Sequence, residues 1–353
     1  DRYLLREVDR ALTPEQRAVM EAVSVLLGHF GTRAAIEAIT TAGGVGRILR
    51  DLSSRYLLIV REAELGKLYG LHAMLEAFYY DLLGQRERTA LHLRAGEYYV
   101  KTEPDVLKAA RHYQHAGETA RAAALATQDV WSIINQGQAQ PLQLLLDDLT
   151  PDSLDTLQRA QVNLARGQTY ALLGDGEAAR QSFESALQMS AALPATDDVR
   201  GLRARVYEAI GRLLEQESPQ EAMQWLQRGL EELAGIGGPA EAALQIRIGS
   251  VHIAVGDYDA ALTALRKGLD LLPEGSSQLR ASALLNIGNV YSTQGDTKQG
   301  TAYTQQALAI SRELHDLFWM LAVENNLGID KEISGDWQGA VTDYKEALAL
   351  AEQ

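Results

Sequence analysis

The sequence predicts a mainly α protein: a small module of three helices and a β-hairpin, a helical spacer, and a solenoid of stacked helical hairpins. Three observations predict it. A pattern of small and large apolar residues returns every 38 to 44 residues in the C-terminal half. Gly-Asp pairs interrupt that pattern, and glycine ends a helix where aspartate can start the next. Short β-branched and apolar runs suited to strands occur only before residue 72. The clearest hairpin is Ala283 to Leu308, in which Ala283, Leu284 and Ile287 share a face, Gly288 leaves room for a neighbouring helix and Tyr291 closes the contact side. One such hairpin cannot bury its own apolar face, so it must stack.

Composition sets the outer limits. The chain has 353 residues, 46% hydrophobic and 23% charged, an ordinary globular balance. No apolar run approaches the ~20 residues of a membrane span, and the opening DRYLLREVDR lacks a signal-peptide pattern. The absence of cysteine excludes a disulfide framework, a thiolate metal site and a cysteine nucleophile, and the expected location is cytoplasmic. Residues 1–100 carry 13 basic and 13 acidic side chains, so the net charge of −14 belongs to the rest of the chain. Nucleic-acid backbones need clustered positive charge, so no general affinity of the C-terminal region for them is expected.

Taken in order, Tyr3, Leu4, Leu5 and Val8 form an uncovered apolar stripe, and residues 1–12 read as a linker helix from a domain upstream. Residues 13–85 form the first module. Thr13-Pro14-Glu15-Gln16 starts a helix, with Thr13 as cap, Pro14 at the first helical position and Gln16 closing a capping box. Helices over Thr32–Thr40 and Val45–Ser54 follow glycine breaks, Tyr56–Val60 and Lys67–Leu71 read as paired strands, and a helix runs from His72 to Leu83. Three helices and a hairpin make a winged helix. Residues 86–149 are a helical spacer broken at Thr102–Pro104, Gly117–Glu118 and Asn135–Gly137, and Thr150-Pro151 caps the helix that opens an array of about five units over 150–353.

Aligned on the small residue of the first helix, the units read Gly167, Gly211, Gly249, Gly288 and Gly328. Gly-Asp turns follow at 174, 256, 295 and 335; the second unit has Glu217-Ser218-Pro219, where Ser218 and Glu221 suit a capping box. The second helices carry Ala179, Ala222, Ala261, Gly300 and Ala340, then Phe183, Leu226, Leu265, Thr304 and Tyr344 four residues on, and end in a small residue before leucine. These positions resemble the tetratricopeptide repeat, with units longer than its usual ~34 residues. The last unit lacks the polar capping helix such arrays use, which suggests that the array continues or that its end is covered by a partner.

The order of winged helix, spacer and long repeats resembles the C-terminal arm of the signal-transducing ATPases with numerous domains (STAND proteins), of which MalT-type bacterial regulators are one branch. Leu12–Arg17, Leu71–Leu75 with Phe78-Tyr79, and Leu145–Pro151 carry the likeness. The resemblance implies a non-catalytic sensor arm with no cofactor of its own, ATP or ADP being held by an upstream ATPase of the intact protein. His72 would match the histidine of a Met-His-Asp motif that reaches the ADP phosphate, although Leu71 and Ala73 depart from it; a histidine that merely caps the helix is the alternative. The chain contains no G-x-x-x-x-G-K-[ST] loop.

The resemblance also places first-helix residues on a groove that holds a protein or peptide ligand, or a small molecule: Arg205, Arg212, Arg247, Ser250, Asn286, Asn289, Ser292, Asn325, Asn326 and Ile329, with Glu208, Glu215, Ile246 and Leu285 beside them. Side-chain amides both donate and accept, which suits the backbone of an extended peptide; a solvated face is the alternative reading. Asn289 and Asn326 partly resemble a chaperone-tail carboxylate clamp, but Leu285 stands where that clamp has lysine. Implied partners are the ligand, the protein's own ATPase domain and a ligand-induced homo-oligomer, without a membrane. A constitutive repeat scaffold and a DNA-binding regulator reading through Arg47, Arg50 and Arg55 are the rival functions, the latter opposed by Asp51 on the same helix.

No catalytic or metal site emerges. Gly174-Asp175-Gly176-Glu177-Ala178-Ala179 fits a dinucleotide fingerprint, but a helix precedes it where that motif needs a strand. His112 and His115, three apart on a helix, read as surface histidines rather than metal ligands.

Overall fold

A computed structural model describes residues 2–63, 66–275 and 277–351. The chain divides into two compact units, one of residues 1–129 and 144–154, the other of residues 130–143 and 155–353.

The first unit begins with α1 (Arg2–Arg10) and α2 (Pro14–Ser24), then β1 (Gly31–Thr32), α3 (Arg33–Ile39), α4 (Val45–Ser54), β2 (Ile59–Ala63), β3 (Gly66–Gly70) and α5 (Ala73–Leu82). The capping box at α2 forms as expected: Thr13 accepts from the Gln16 amide at 3.2 Å and Gln16 returns to the Thr13 amide at 2.8 Å. The sheet is antiparallel in the order β1-β3-β2, with Val60 opposite Tyr69 and Tyr69 opposite Gly31. The first strand of the hairpin lies three residues later than expected. Leu58 is drawn into the core and Tyr56 turns the chain at φ +57, so backbone pairing begins at Ile59 and uses the polar Arg61 and Glu62. The two-residue β1 is too short to leave a pattern in sequence. The core joins Val19, Val23, Leu26, Ile36, Leu49, Leu52 and Tyr79.

Beyond it come α6 (Gln85–Lys101), α7 (Val106–His115) and α8 (Thr119–Gln128). Asp129, in a non-helical conformation, ends α8 and separates it from α9 (Val130–Asn135), a break the sequence reading missed; α10 (Ala139–Asp148) follows. Thr150-Pro151 opens only a 3-10 turn, Pro151–Ser153, and the repeat helix starts at Thr156, where Asp155 and Gln158 form the capping box instead.

The second unit holds five hairpins: α11 (Thr156–Leu172) with α12 (Gly176–Ala191), α13 (Asp197–Leu214) with α14 (Pro219–Glu232), α15 (Pro239–Ala254) with α16 (Tyr258–Asp270), α17 (Gln278–Thr293) with α18 (Thr297–Glu313), and α19 (Leu317–Ser334) with α20 (Trp337–Ala351). Gly174, Gly256, Gly295 and Gly335 all adopt positive φ, and Asp175, Asp257, Asp296 and Asp336 each accept a backbone amide of the following first turn. In the second hairpin Ser218 stands at the cap position without a side-chain bond, so Pro219 alone marks the start.

The repeat glycines are where the hairpin closes. A Cβ on Gly211, Gly249, Gly288 or Gly328 would lie 2.5–2.6 Å from Leu226, Leu265, Thr304 or Tyr344, and one on Gly167 would press into Phe183. In the small-leucine pairs, Gly229 receives Leu244 of the next unit in the same way, and Gly268 receives Ile246 of its own first helix. Hence the apolar clusters run across unit boundaries: Phe183 packs with Leu202 and Val206, Leu265 with Ala283 and Ile287. The first helices of successive hairpins pack on one another, and each second helix lies outside, against its own first helix and the next.

Gly167→Ala should cost roughly 1–3 kcal/mol, since Phe183 is fully buried and cannot withdraw. Gly201→Ala, on α13 with open space around it, should instead stabilise by up to ~1 kcal/mol through helix propensity. Paired thermal melts check both signs.

Candidate functional site: the inner face of the repeats

The first helices carry a polar seam on the side they turn away from the second helices. Arg247 of α15 donates to Glu208 of α13 at 3.0 Å and to Glu215, the cap that ends α13, at 2.9 Å. Asn286 of α17 donates to Ser250 Oγ of α15 at 3.0 Å. Asn326 of α19 donates to Asn289 Oδ1 of α17 at 3.0 Å. Each bond therefore ties one repeat to the next. The asparagines, which packing alone did not account for in sequence, are rungs between repeats whose remaining amide groups are half-exposed on the same face.

The arginines here outnumber their acids. Burial alone would lower the Arg247 pKa, but Glu208 and Glu215 raise it, and both carboxylates are engaged by that one guanidinium. Arg212, by contrast, is pushed down to about 10 by burial, with Arg247 adding to the lowering and the Glu208 and Glu215 charges opposing it. Its guanidinium lies 4.0 Å from the ring centroid of Trp131 on α9. Arg205, solvent-accessible yet lowered in pKa by the surrounding protein, has no ion-pair partner among the described residues. The face is thus locally cationic in a chain of net charge −14.

Not every residue assigned to this face reaches it. Ser292 Oγ is buried against Gly300 of α18, inside its own hairpin. Leu285 and Ile246 are core residues. Asn325 and Ile329 are exposed on α19. The reason is helical phase: in α17 and α19 only the residues two before and one after the small glycine point clear of the packing, and in α19 the face broadens to include Asn325.

α9 is the part of this site that sequence reasoning missed. It packs against α11, buries Val130, Ile133 and Ile134, and sends Asn135 Nδ2 to Asp316 Oδ2 at 2.9 Å. Asp316, the buried cap of α19, also accepts from Gln278 Nε2 at 2.6 Å. Trp131 and Asn135 are four apart, so both reach the array from one face of α9.

In the first unit, His72 is exposed at the start of α5 and makes no capping bond. Arg47 and Arg50 are exposed on α4, beside an Asp51 that pairs with Arg55 at 3.7 Å and accepts from Gln16. His112 is not the surface residue expected. Its Nδ1 shares a 2.9 Å hydrogen bond with Nδ1 of the fully buried His92, whose Nε2 meets the Tyr80 hydroxyl at 3.1 Å, and Tyr99 stacks on its ring. Their spacing of 20 residues hid the pair in sequence. Among the described residues no three ligating side chains converge on a metal site, and no helix is long and apolar enough to cross a membrane.

Comparison with known proteins gives this geometry a setting. Tetratricopeptide repeat profiles match residues 160–192, 242–274 and 279–353. The regulatory protein RapG of Bacillus subtilis is 26% identical over 119 residues, a third of either chain. Among solved structures, a STAND protein with a tetratricopeptide repeat sensor from Pyrococcus horikoshii is similar over 99% of this chain, with a TM-score of 0.66 and 18% identity, and the chain spans 52% of it. A Rap protein complexed with competence and sporulation factor is similar over 76% of this chain and 77% of its own, with a TM-score of 0.55 and 16% identity. The second unit is built of tetratricopeptide-type repeats.

Two outcomes follow from these groups. Asn286→Ala with Asn326→Ala removes two inter-repeat bonds and should cost about 0.5–1.5 kcal/mol for each, read as a lowered denaturation midpoint with unchanged helical circular dichroism. His92 and His112 are held down to about 3, chiefly by burial and then by neighbouring positive charge, whereas unfolded histidine titrates near 6.5. The unfolded chain therefore binds more protons between these values, so stability of the first unit is complete above ~6.5 and falls on acidification, by up to ~1.4 kcal/mol per pH unit for each histidine. Hydrogen exchange at α6 and α7 from pH 7 to 5 checks the sign.

Proposed function

We propose that this chain is the sensor and interaction arm of a STAND-type ATPase: residues 13–85 are its winged helix, and the inner face of its repeats binds a protein or peptide ligand. The observation that carries the ligand part is the polar seam of Arg205, Arg212, Arg247, Asn286, Asn289 and Asn326, aligned across four successive repeats. Amide and guanidinium groups in register, on a rigid helical wall, suit peptide backbone and acidic or aromatic side chains. The likeness to a STAND protein with a repeat sensor runs through both units, and the helix–strand–helix–helix–hairpin order of the first unit fits a winged helix. The likeness to a Rap protein bound to competence and sporulation factor supports a ligand held by such an array.

The coupling rests on differential affinity. Ligand that binds the arm better in an open, ATP-bound state than in a closed, ADP-bound state shifts the protein toward the open one and toward oligomerisation. In the closed state the exposed His72 is free to turn toward a nucleotide held by the upstream ATPase, because its side chain makes no capping bond to α5. The site of action is the cytoplasm. Reading the gene upstream of residue 1 tests the assignment: it should encode G-x-x-x-x-G-K-[ST] in an ATPase domain. A reading frame without that loop would leave a constitutive repeat scaffold.

A further inference from the structure

α9 fills the position a ligand would take. It is a short apolar helix, VWSIIN, held on the inner face of the array rather than within any hairpin. Trp131 and Asn135 engage groups that belong to the repeats. Trp131 covers Arg212 of the second repeat, a half-buried guanidinium with no ion-pair partner among the described residues. Asn135 meets Asp316 at the start of the fifth repeat, where Gln278 of the fourth repeat converges on the same carboxylate oxygen. The contacts connect residues up to 181 positions apart, so α9 spans the inner face instead of continuing the spacer.

Without α9, Arg212 would lose the ring that covers it, and Asp316 would lose the Asn135 donor and keep Gln278 and the Trp319 amide. Burying such groups is tolerable only with partners, so the site selects whatever supplies them. An aromatic ring satisfies the guanidinium face, and a donor satisfies the carboxylate. The helical offset of four residues fixes their separation.

We propose that α9 is a built-in occupant of the peptide site, and that the competing ligand is a short helical peptide presenting an aromatic residue and, four residues later, an amide or cationic side chain. Such a ligand displaces α9 and takes over Arg212 and Asp316. This deepens the peptide-binding reading above and rests on it, but its test needs neither the ATPase nor the natural ligand, so either can fail alone.

The test uses a labelled synthetic peptide of residues 129–138 and the full 353-residue chain. Trp131→Ala with Asn135→Ala should release α9, and fluorescence anisotropy should then show the peptide binding at least about tenfold tighter than to the unchanged chain. A peptide in which alanine replaces Trp131 and Asn135 should not bind. Asn135→Asp provides a second variant, because it sets a like charge against Asp316 and leaves Trp131 in place; hydrogen exchange should show residues 130–135 deprotected while α11 to α20 stay protected. Equal peptide affinity for the released and unchanged chains, or no binding to either variant when its helices remain protected, would overturn the proposal.

Discussion

The interaction on which the repeat unit depends is the close approach of a glycine on one helix to a bulky residue on the next. At Gly167, Gly211, Gly249, Gly288 and Gly328 the space a Cβ would occupy is already filled by the facing side chain. That contact, repeated at Gly268 against Ile246, sets the depth of the hairpins, and the contact of Gly229 with Leu244 sets the spacing of the second and third. Because the first helices then lie against one another, their remaining faces form one wall. The wall is available for function only because packing has been delegated to the other side.

The wall is not neutral ground. Its hydrogen bonds join repeats, so residues suited to ligand contact also contribute to the stiffness of the array. Buried charge is handled unevenly along it. Arg247 is saturated by two glutamates, while Arg212 is left to an aromatic ring and Arg205 to solvent. An array optimised for stability alone would have no reason to sink Arg212 without a carboxylate, since its desolvation is costly. Asp316 differs, since it caps α19 through the Trp319 amide, and further donors arrive from α9 and α17.

The repeats were legible in sequence because their defining contacts are local. Gly288 and Thr304 sit in one hairpin, and the Gly-Asp turn acts within four residues. Helix caps at Thr13 and the turn aspartates were readable for the same reason. What remained hidden depends on distance. The His92–His112 pair joins two helices through ring nitrogens, and neither residue announces burial. α9 looked like more spacer because its partners lie in repeats far along the chain, and the sequence shows no signal at Asp129 beyond a single acidic residue. Ser292 was assigned to the wall by family register, whereas Gly300 opened a hole that drew it inward. The hairpin shift had a similar origin: Leu58 found a core position that strand alternation could not reveal.

The central claim is that α9 is held on the inner face by contacts it would have to surrender to a ligand. Hydrogen exchange at the α9 amides in a double-mutant cycle of Trp131→Ala and Arg212→Ala tests it most directly. The account predicts that the two substitutions share one interaction, so that the pair lowers the opening free energy by clearly less than the sum of the singles, a coupling of about 1–2 kcal/mol for a desolvated cation–π contact. Additive effects, or α9 protection unchanged in all three variants, would contradict it.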